Sequence, residues 1–403
     1  MSATSLPLAR RATNLVGSII DSSTSLLAAQ THDIVRFAMG ASGDDLMPVK
    51  LFDRYYGQPA PGKYAYGATD GEPELIEQVL ALLHQQGIAS SAERIIVTTG
   101  GMQGLDLACK LFVDPGDLVV VEGPTYTNGN STALSYGAEL LEAPLDEDGL
   151  VVERLPELVD RAGRTPKAIY TIPTFQNPSG ATLSRARREQ LLDLAERWQA
   201  VVIDDDPYAM LRFAGEDVPG FAQLAPDHPL VFSIRTFSKI LAPGLRVGWV
   251  DADPGLRQLL INAKQAMDTC TNVPAQRMVA RFLKDGHLDT HLARIKGLYR
   301  ARKDAMRASL RKHFGDGVHS TDPDGGFFLW LTFARTYAGL DTQKLFEPAL
   351  RHGVAYIPGP AFSAAGSFSD ALRLCFAASA PERIEEGVAR LKQAADELLG
   401  GRA

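Results

Sequence analysis

The sequence predicts an α/β fold in which a large lobe, built on a mostly parallel sheet with helices on both faces, is followed by a smaller α+β lobe. Three observations lead there. From Asp70 onward, short runs of Val, Ile and Leu alternate with segments of helical period. Those runs are continuously apolar, as strands buried on both faces have to be, and lack the in-out alternation of a half-exposed sheet. After Pro254 the pattern changes to long helical stretches, then two apolar strands and a closing helix.

Each element follows from local signals. Pro73 suits a first helical turn, and Leu75, Ile76, Val79, Leu80, Leu82 and Leu83 share one face of a helix that ends before Gly87. A strand at 95–98 leads to Gly100-Gly101, which opens a helix running to Phe112. The turn Asp114-Pro115-Gly116 precedes a strand at 118–121. The same grammar gives strands at 168–172, 200–203, 231–237 and 246–250, with a helix over 185–198. After Pro254 the pattern predicts helices over 256–267 and 288–314, a turn at Asp324-Gly325-Gly326, strands at 327–331 and 371–377, and a helix over 381–399. The expected division is an amino-terminal arm (1–49), a large domain (50–275) and a small domain (276–403).

Composition narrows the function. At 403 residues and 45% hydrophobic, the chain can bury large cores without disulfide staples. Cys109, Cys270 and Cys375 are odd in number, far apart and without metal-ligand spacing, so no Cys-based metal site is expected. A net charge of −7, with no long basic block, argues against gripping nucleic acid or an anionic membrane, and no apolar run is long enough to span one. Residues 1–20 contain Arg10 and Arg11 and no acid, a faint transit-peptide character, but lack an apolar secretion core. An ordinary arm on a cytoplasmic protein is the expectation.

Ligands of open α/β sheets collect at the carboxyl ends of strands, which directs attention to four segments. Thr98-Thr99-Gly100-Gly101-Met102-Gln103 follows a strand and opens a helix, so it can aim free N–H groups at an anion, or be a plain strand-to-helix turn. Asp204-Asp205-Asp206-Pro207-Tyr208 sets three carboxylates at a strand end. They need cationic compensation or exposure in a solvated turn, and no His lies nearby to favour a metal. Thr236-Phe237-Ser238-Lys239, with Arg246 beyond it, offers an amine that burial can make reactive beside groups able to hold a phosphate. Gln176-Asn177-Pro178-Ser179-Gly180 presents an amide on a rigid turn, a pattern that alone is usually just a turn.

Together these segments supply the parts needed to hold pyridoxal phosphate. The combination of Asn177-Pro178-Ser179-Gly180, Asp205-Asp206-Pro207-Tyr208 and Ser238-Lys239 with Arg246 resembles the fold-type-I, aspartate-aminotransferase-like class I/II superfamily. The likeness is nearest to the branch with 2-aminoadipate and kynurenine aminotransferases and the aminotransferase-like domain of MocR regulators. It runs from about Tyr64 to the carboxyl terminus, and no DNA-binding winged helix is expected ahead of it. The resemblance implies a seven-stranded type of large-domain sheet and an aminotransferase moving an amino group between an α-amino acid and a 2-oxo acid. It implies that Lys239 carries the cofactor as an internal aldimine and acts as the base, that Asp205 pairs with the pyridine nitrogen, and that Tyr126 stacks on the ring; these three are the expected catalytic residues. Asn177 and Tyr208 would bond the ring's phenolic oxygen. Gly101, Met102, Thr236, Ser238 and Arg246 would hold the phosphate. Tyr66 would reach the phosphate of a neighbouring subunit in a homodimer, the alternative being a core aromatic. Arg373 would clamp the substrate carboxylate, the alternative being an edge charge, with Asn177 and Gly40 beside the substrate.

Four positions depart from the family's pattern: Met39, Ser42, Met102 and Cys375. They leave the cofactor apparatus intact and bear on substrate and outcome, so a lyase, an oxidase or a β/γ-substitution enzyme on the same scaffold is the alternative, and a MocR-like sensor a third. Residues 21–27 and 36–47 are expected to form mobile elements over the substrate.

Overall fold

The described residues of this computed structural model are 7–15, 17 and 32–400. The chain forms a short strand β1 (Val35–Arg36) and then an eight-stranded sheet from β2 (Ile95–Thr98), β3 (Leu118–Gly123), β4 (Glu139–Asp146), β5 (Gly149–Leu150), β6 (Ala168–Thr171), β7 (Val201–Asp205), β8 (Val231–Thr236) and β9 (Gly248–Asp251). Their order is β2-β9-β8-β7-β6-β3-β4-β5. The pairings from β8 through β7, β6 and β3 to β4 are parallel, while β9 runs antiparallel between β2 and β8. The expected seven strands are therefore present, and β5 adds a two-residue hairpin return on the β4 edge.

Every residue of β2, β3 and β6 is buried, because helices cover both faces. The two-residue period sorts side chains between two cores: Ala168, Tyr170, Val201 and Ile203 on one face, Ile169 and Val202 on the other. A second sheet follows, made of β10 (Val318–Ser320), β11 (Phe328–Phe333), β13 (Ile357–Pro358) and β14 (Ala371–Cys375) in the order β10-β11-β14-β13, all antiparallel. Between β11 and β13, β12 (Val354–Ala355) pairs in parallel with β1. The 28-residue helix His287–Phe314 packs along the closing helix Pro381–Gly400, and Met306 and Leu310 are among its buried residues. Among the described residues, no helix is long and apolar enough to cross a membrane.

Several expectations need correction. The last strand of the large sheet begins at Gly248, because Arg246 turns into the left-handed region at φ 52° and folds back toward the strand ends. Helix Thr127–Ser135 and strand β4 lack legible patterns: the helix is almost wholly polar, and only Ala143 of the strand is buried. Helix Val273–Lys284 carries an overlooked start signal, Asn272, whose side chain accepts from the Ala275 N–H at 2.9 Å. Its first turn spans the expected boundary at 275.

The segment 36–47 is anchored. Phe37 and Ala38 are buried, Tyr299 donates to the Ser42 hydroxyl at 2.9 Å, and Arg302 pairs with Asp45 at 2.6 Å. Its counterpart, 21–27, lies outside the described residues.

Candidate active site

Twelve of the thirteen expected site residues line one cavity of about 350 Å³: Gly40, Gly101, Met102, Tyr126, Asn177, Asp205, Tyr208, Thr236, Ser238, Lys239, Arg246 and Arg373. They converge because parallel strands deliver their carboxyl ends to one edge of the sheet. The thirteenth, Tyr66, is 88% exposed and outside this wall, so the core-aromatic alternative is wrong.

Strand alternation resolves the three carboxylates. Asp205 continues the Val201-Ile203 face and reaches the cavity. Asp204 and Asp206 take the other side, where Arg235 lies 2.9 Å from Asp204 and 3.9 Å from Asp206. Ser233 also donates to Asp204, at 2.7 Å. Asp204 and Asp206 are buried, which rules out a solvated turn. Among the described residues no cluster of His, Cys, Asp and Glu could hold a metal. Desolvation pushes Asp205 up to about 7, opposed chiefly by a hydrogen bond from Tyr170.

An anion cradle forms where β2 meets the helix Gly101–Phe112. The N–H groups of Gly101 and Met102 lie in the first turn, which has no intrahelical acceptors for them. Gly100 sits at φ +78°, and a Cβ there would come within 2.8 Å of the Arg246 Cζ, so glycine makes room for the guanidinium. Thr236 and Ser238 bond each other at 2.9 Å, and Arg246 Nη1 donates to Ser238 at 3.3 Å. Two hydroxyls, a guanidinium and a helix start thus line one cavity.

Lys239 lines the cavity and donates to the Gly40 carbonyl at 2.7 Å. Burial, first, and the neighbouring Arg373 and Arg246 charges lower its amine to about 8, against an opposing pull from Cys375 and Asp205. Arg373, on β14, is 1% exposed, so it is no edge charge. It donates from Nη1 to Asn177 Oδ1 at 2.9 Å and from Nη2 to the Ala38 carbonyl at 2.6 Å, while buried Nε has no partner. Its guanidinium stacks 4.2 Å from the Phe328 ring centroid. Desolvation lowers Arg373 to about 10. Tyr208 is buried in edge contact with Phe327 and Phe328, and Tyr126 reaches Met102 Sδ at 3.7 Å.

The sequence reading missed Leu105, Asn128, Ile172 and Phe328 in the wall, and Tyr170 behind Asp205. Parity along β6 was the available signal for Tyr170. Of the four departures, Met39 and Met102 line the cavity, Ser42 anchors its segment, and Cys375 is buried outside the wall with its thiol raised by burial.

Comparison with known proteins shows the family. The family model "Aminotransferase class I and II" matches residues 60–391. The chain is 36% identical to an aromatic-amino-acid aminotransferase of Thermococcus litoralis, covering 93% of this chain and 91% of that one. It is 33% identical to a 2-aminoadipate transaminase of Thermus thermophilus, covering 93% of both. It superposes with a TM-score of 0.90 on the Pyrococcus horikoshii kynurenine aminotransferase, solved in complex with PMP, at 35% identity and 98% coverage of each chain. A family match over most of the chain, joined to relatives above 30% identity along nine-tenths of it, means that this protein belongs to the class I and II aminotransferases.

Proposed function

We propose that this aminotransferase uses pyridoxal phosphate, held by the cavity described above, to move an amino group between an α-amino acid and a 2-oxo acid. The observation that carries the reading is a buried amine, an anion cradle and a buried arginine lining one cavity.

The donor set fits the cofactor. The N–H groups of Gly101 and Met102, the hydroxyls of Thr236 and Ser238, and Arg246 suit a phosphate dianion, and the space opened by Gly100 fits close approach of the guanidinium. Asp205 suits a protonated ring nitrogen, Asn177 and Tyr208 a phenolic oxygen, and Tyr126 a ring face. When bound, the cofactor supplies an electrophilic aldehyde and a ring that withdraws electrons from the substrate's α-carbon.

The protein's own residues do the rest. Asp205 keeps a positive charge at the ring nitrogen. Lys239, whose lowered amine is partly neutral near neutral pH, takes and returns the proton of the substrate α-carbon. Arg373 receives the substrate carboxylate in a fork that Asn177 and the Ala38 carbonyl already orient, with Gly40 leaving room beside it. Burial of Arg373 under Phe328 and Phe362 strengthens that charge pair by excluding water.

Each cation on the wall, Lys239, Arg246 or Arg373, has one of these tasks, and Met39, Met102, Leu105 and Phe328 provide an apolar lining. This favours an apolar or aromatic substrate side chain. Exposed Tyr66 and Tyr64 are surfaces for a second copy, and we assign Tyr66 to the partner's phosphate in a homodimer. The chain from 50 through the helix Val273–Lys284 is the cofactor-bearing domain, the remainder the substrate-closing one, and 1–49 the arm. The three free cysteines suit a cytoplasmic setting.

The test is a half-reaction. Mixing holoenzyme with single amino acids should convert bound cofactor to its amine form, and a 2-oxo acid should restore it. Ammonia or peroxide released without that conversion would overturn transamination.

A further inference from the structure

Behind Asp205 stands a buried tyrosine outside the cavity wall. Tyr170, on β6, is 2% exposed and donates from its hydroxyl to Asp205 Oδ2 at 3.0 Å. The two meet because they lie on the same face of neighbouring parallel strands, where Tyr170 pairs with Ile203, two residues before Asp205. The ring fits only because residue 129 has no side chain. A Cβ on Gly129 would lie 2.7 Å from the Tyr170 Cζ and 2.9 Å from its hydroxyl oxygen. Gly129 belongs to the helix Thr127–Ser135, directly after Tyr126.

We propose that Tyr170 is a positioning residue for the cofactor. Its hydroxyl orients the Asp205 carboxylate and favours the ionised form, and Gly129 is the position that gives the ring its seat. The proposal rests on the reading that Asp205 pairs with the cofactor's ring nitrogen. Three lines support it. Burial holds the Tyr170 phenol far above its ordinary range, so it stays a donor throughout the working pH range. Among the influences favouring ionised Asp205, the Tyr170 hydrogen bond is the largest, ahead of Arg235 on β8. Of the other neighbours, Asp204 and Asp206 oppose ionisation and Lys239 favours it, while Tyr126 and Tyr208 border the same space. A buried carboxylate flanked by two others needs a dedicated donor to remain charged at neutral pH.

The experiment is a titration of apo protein with pyridoxal phosphate between pH 6 and 9, following visible absorbance, for wild type, Tyr170→Phe, Asp205→Asn, the double variant and Gly129→Ala. Tyr170→Phe keeps the ring and its packing and removes one hydrogen bond to a charged group. Affinity at neutral pH should fall about ten- to a hundredfold, and the acid limb of the affinity profile should move to higher pH. Because Tyr170 acts through Asp205, the double variant should bind no worse than Asp205→Asn alone. Gly129→Ala should reproduce the Tyr170→Phe loss by displacing the ring. Wild-type affinity with an unmoved limb in Tyr170→Phe, or additive losses in the double variant, would overturn the proposal while leaving Asp205 in place. An Asp205→Asn protein that binds as wild type does would overturn the reading of Asp205 and the proposal with it.

Discussion

Arg373 and Asn177 are joined by a 2.9 Å hydrogen bond that links the two halves of the site, one residue on β14 of the small sheet and the other on the turn after β6. The bond directs the guanidinium fork into the cavity before any substrate arrives, so little ordering remains to be done on binding.

Arg373→Ala should therefore lower kcat/KM for amino acids by about 10²- to 10⁴-fold, the scale of two lost charged hydrogen bonds, with cofactor absorbance unchanged. Arg373→Lys should recover little, since an ammonium cannot reproduce the fork. Steady-state kinetics beside the holoenzyme spectrum check both, and loss of the cofactor would mean that Arg373 serves another group.

Gly100 and Arg246 give a second expectation. Gly100→Ala combines a left-handed backbone with a clash against the guanidinium. It should destabilise the apo protein by about 1 kcal/mol or more and weaken pyridoxal phosphate binding at least tenfold, as calorimetry and a binding titration would reveal.

Lys239 sets a pH dependence. Its amine is lowered from 10.5 to about 8, so between about pH 8 and 10.5 the unfolded chain binds more protons than the folded one. This group's contribution to apo-protein stability therefore rises with pH across that window, and below pH 8 its buried charge opposes folding in full. Lys239→Met should raise the melting temperature of apo protein at pH 7, and the advantage should shrink toward pH 10. An advantage that did not change with pH would refute this account.

Glu122 behaves in the opposite sense. Buried at the end of β3, it accepts from Thr171 at 2.6 Å, from Gln176 at 2.9 Å and from the Ile172 N–H at 3.2 Å, and desolvation pushes it up to about 7 from 4.5. Between about pH 4.5 and 7 the folded chain binds more protons than the unfolded one, so this group's contribution falls as pH rises through the window. Glu122→Gln puts an amide donor against those donors and should lower stability most at low pH. Its deficit relative to wild type should narrow by pH 8 in parallel denaturation curves.

The apolar wall makes a specificity prediction. Met102→Ser shortens and polarises one side of the pocket, so the phenylalanine-to-alanine ratio of kcat/KM should fall about tenfold, in line with 1–3 kcal/mol for lost apolar contact. An unchanged ratio would place the substrate side chain elsewhere.

Much of this site was readable because its residues follow buried strands. Lys239 comes three residues after the end of β8, and Asp205 ends β7, so local hydrophobicity alone marks the sheet edge where they meet. Which of three aspartates faces the cavity was also implicit, since Asp205 shares parity with Val201 and Ile203. Other parts carry no local signal. The polar helix Thr127–Ser135 is held by what packs around it, and strand β4 is half-exposed on one edge of the sheet. Arg246 reads as the start of a strand until the turn that returns it to Gly100 is seen.

By itself, then, the sequence determined the α/β class, the strand ends that bear chemistry and the residue types for binding an anionic cofactor, because those depend on period, burial and short-range spacing. Tertiary structure alone decided the pairings across large sequence separations: Arg373 with Asn177, Arg246 with Gly100, Tyr170 with both Asp205 and Gly129. Such contacts are set by strand order and register, which only the packed sheet defines.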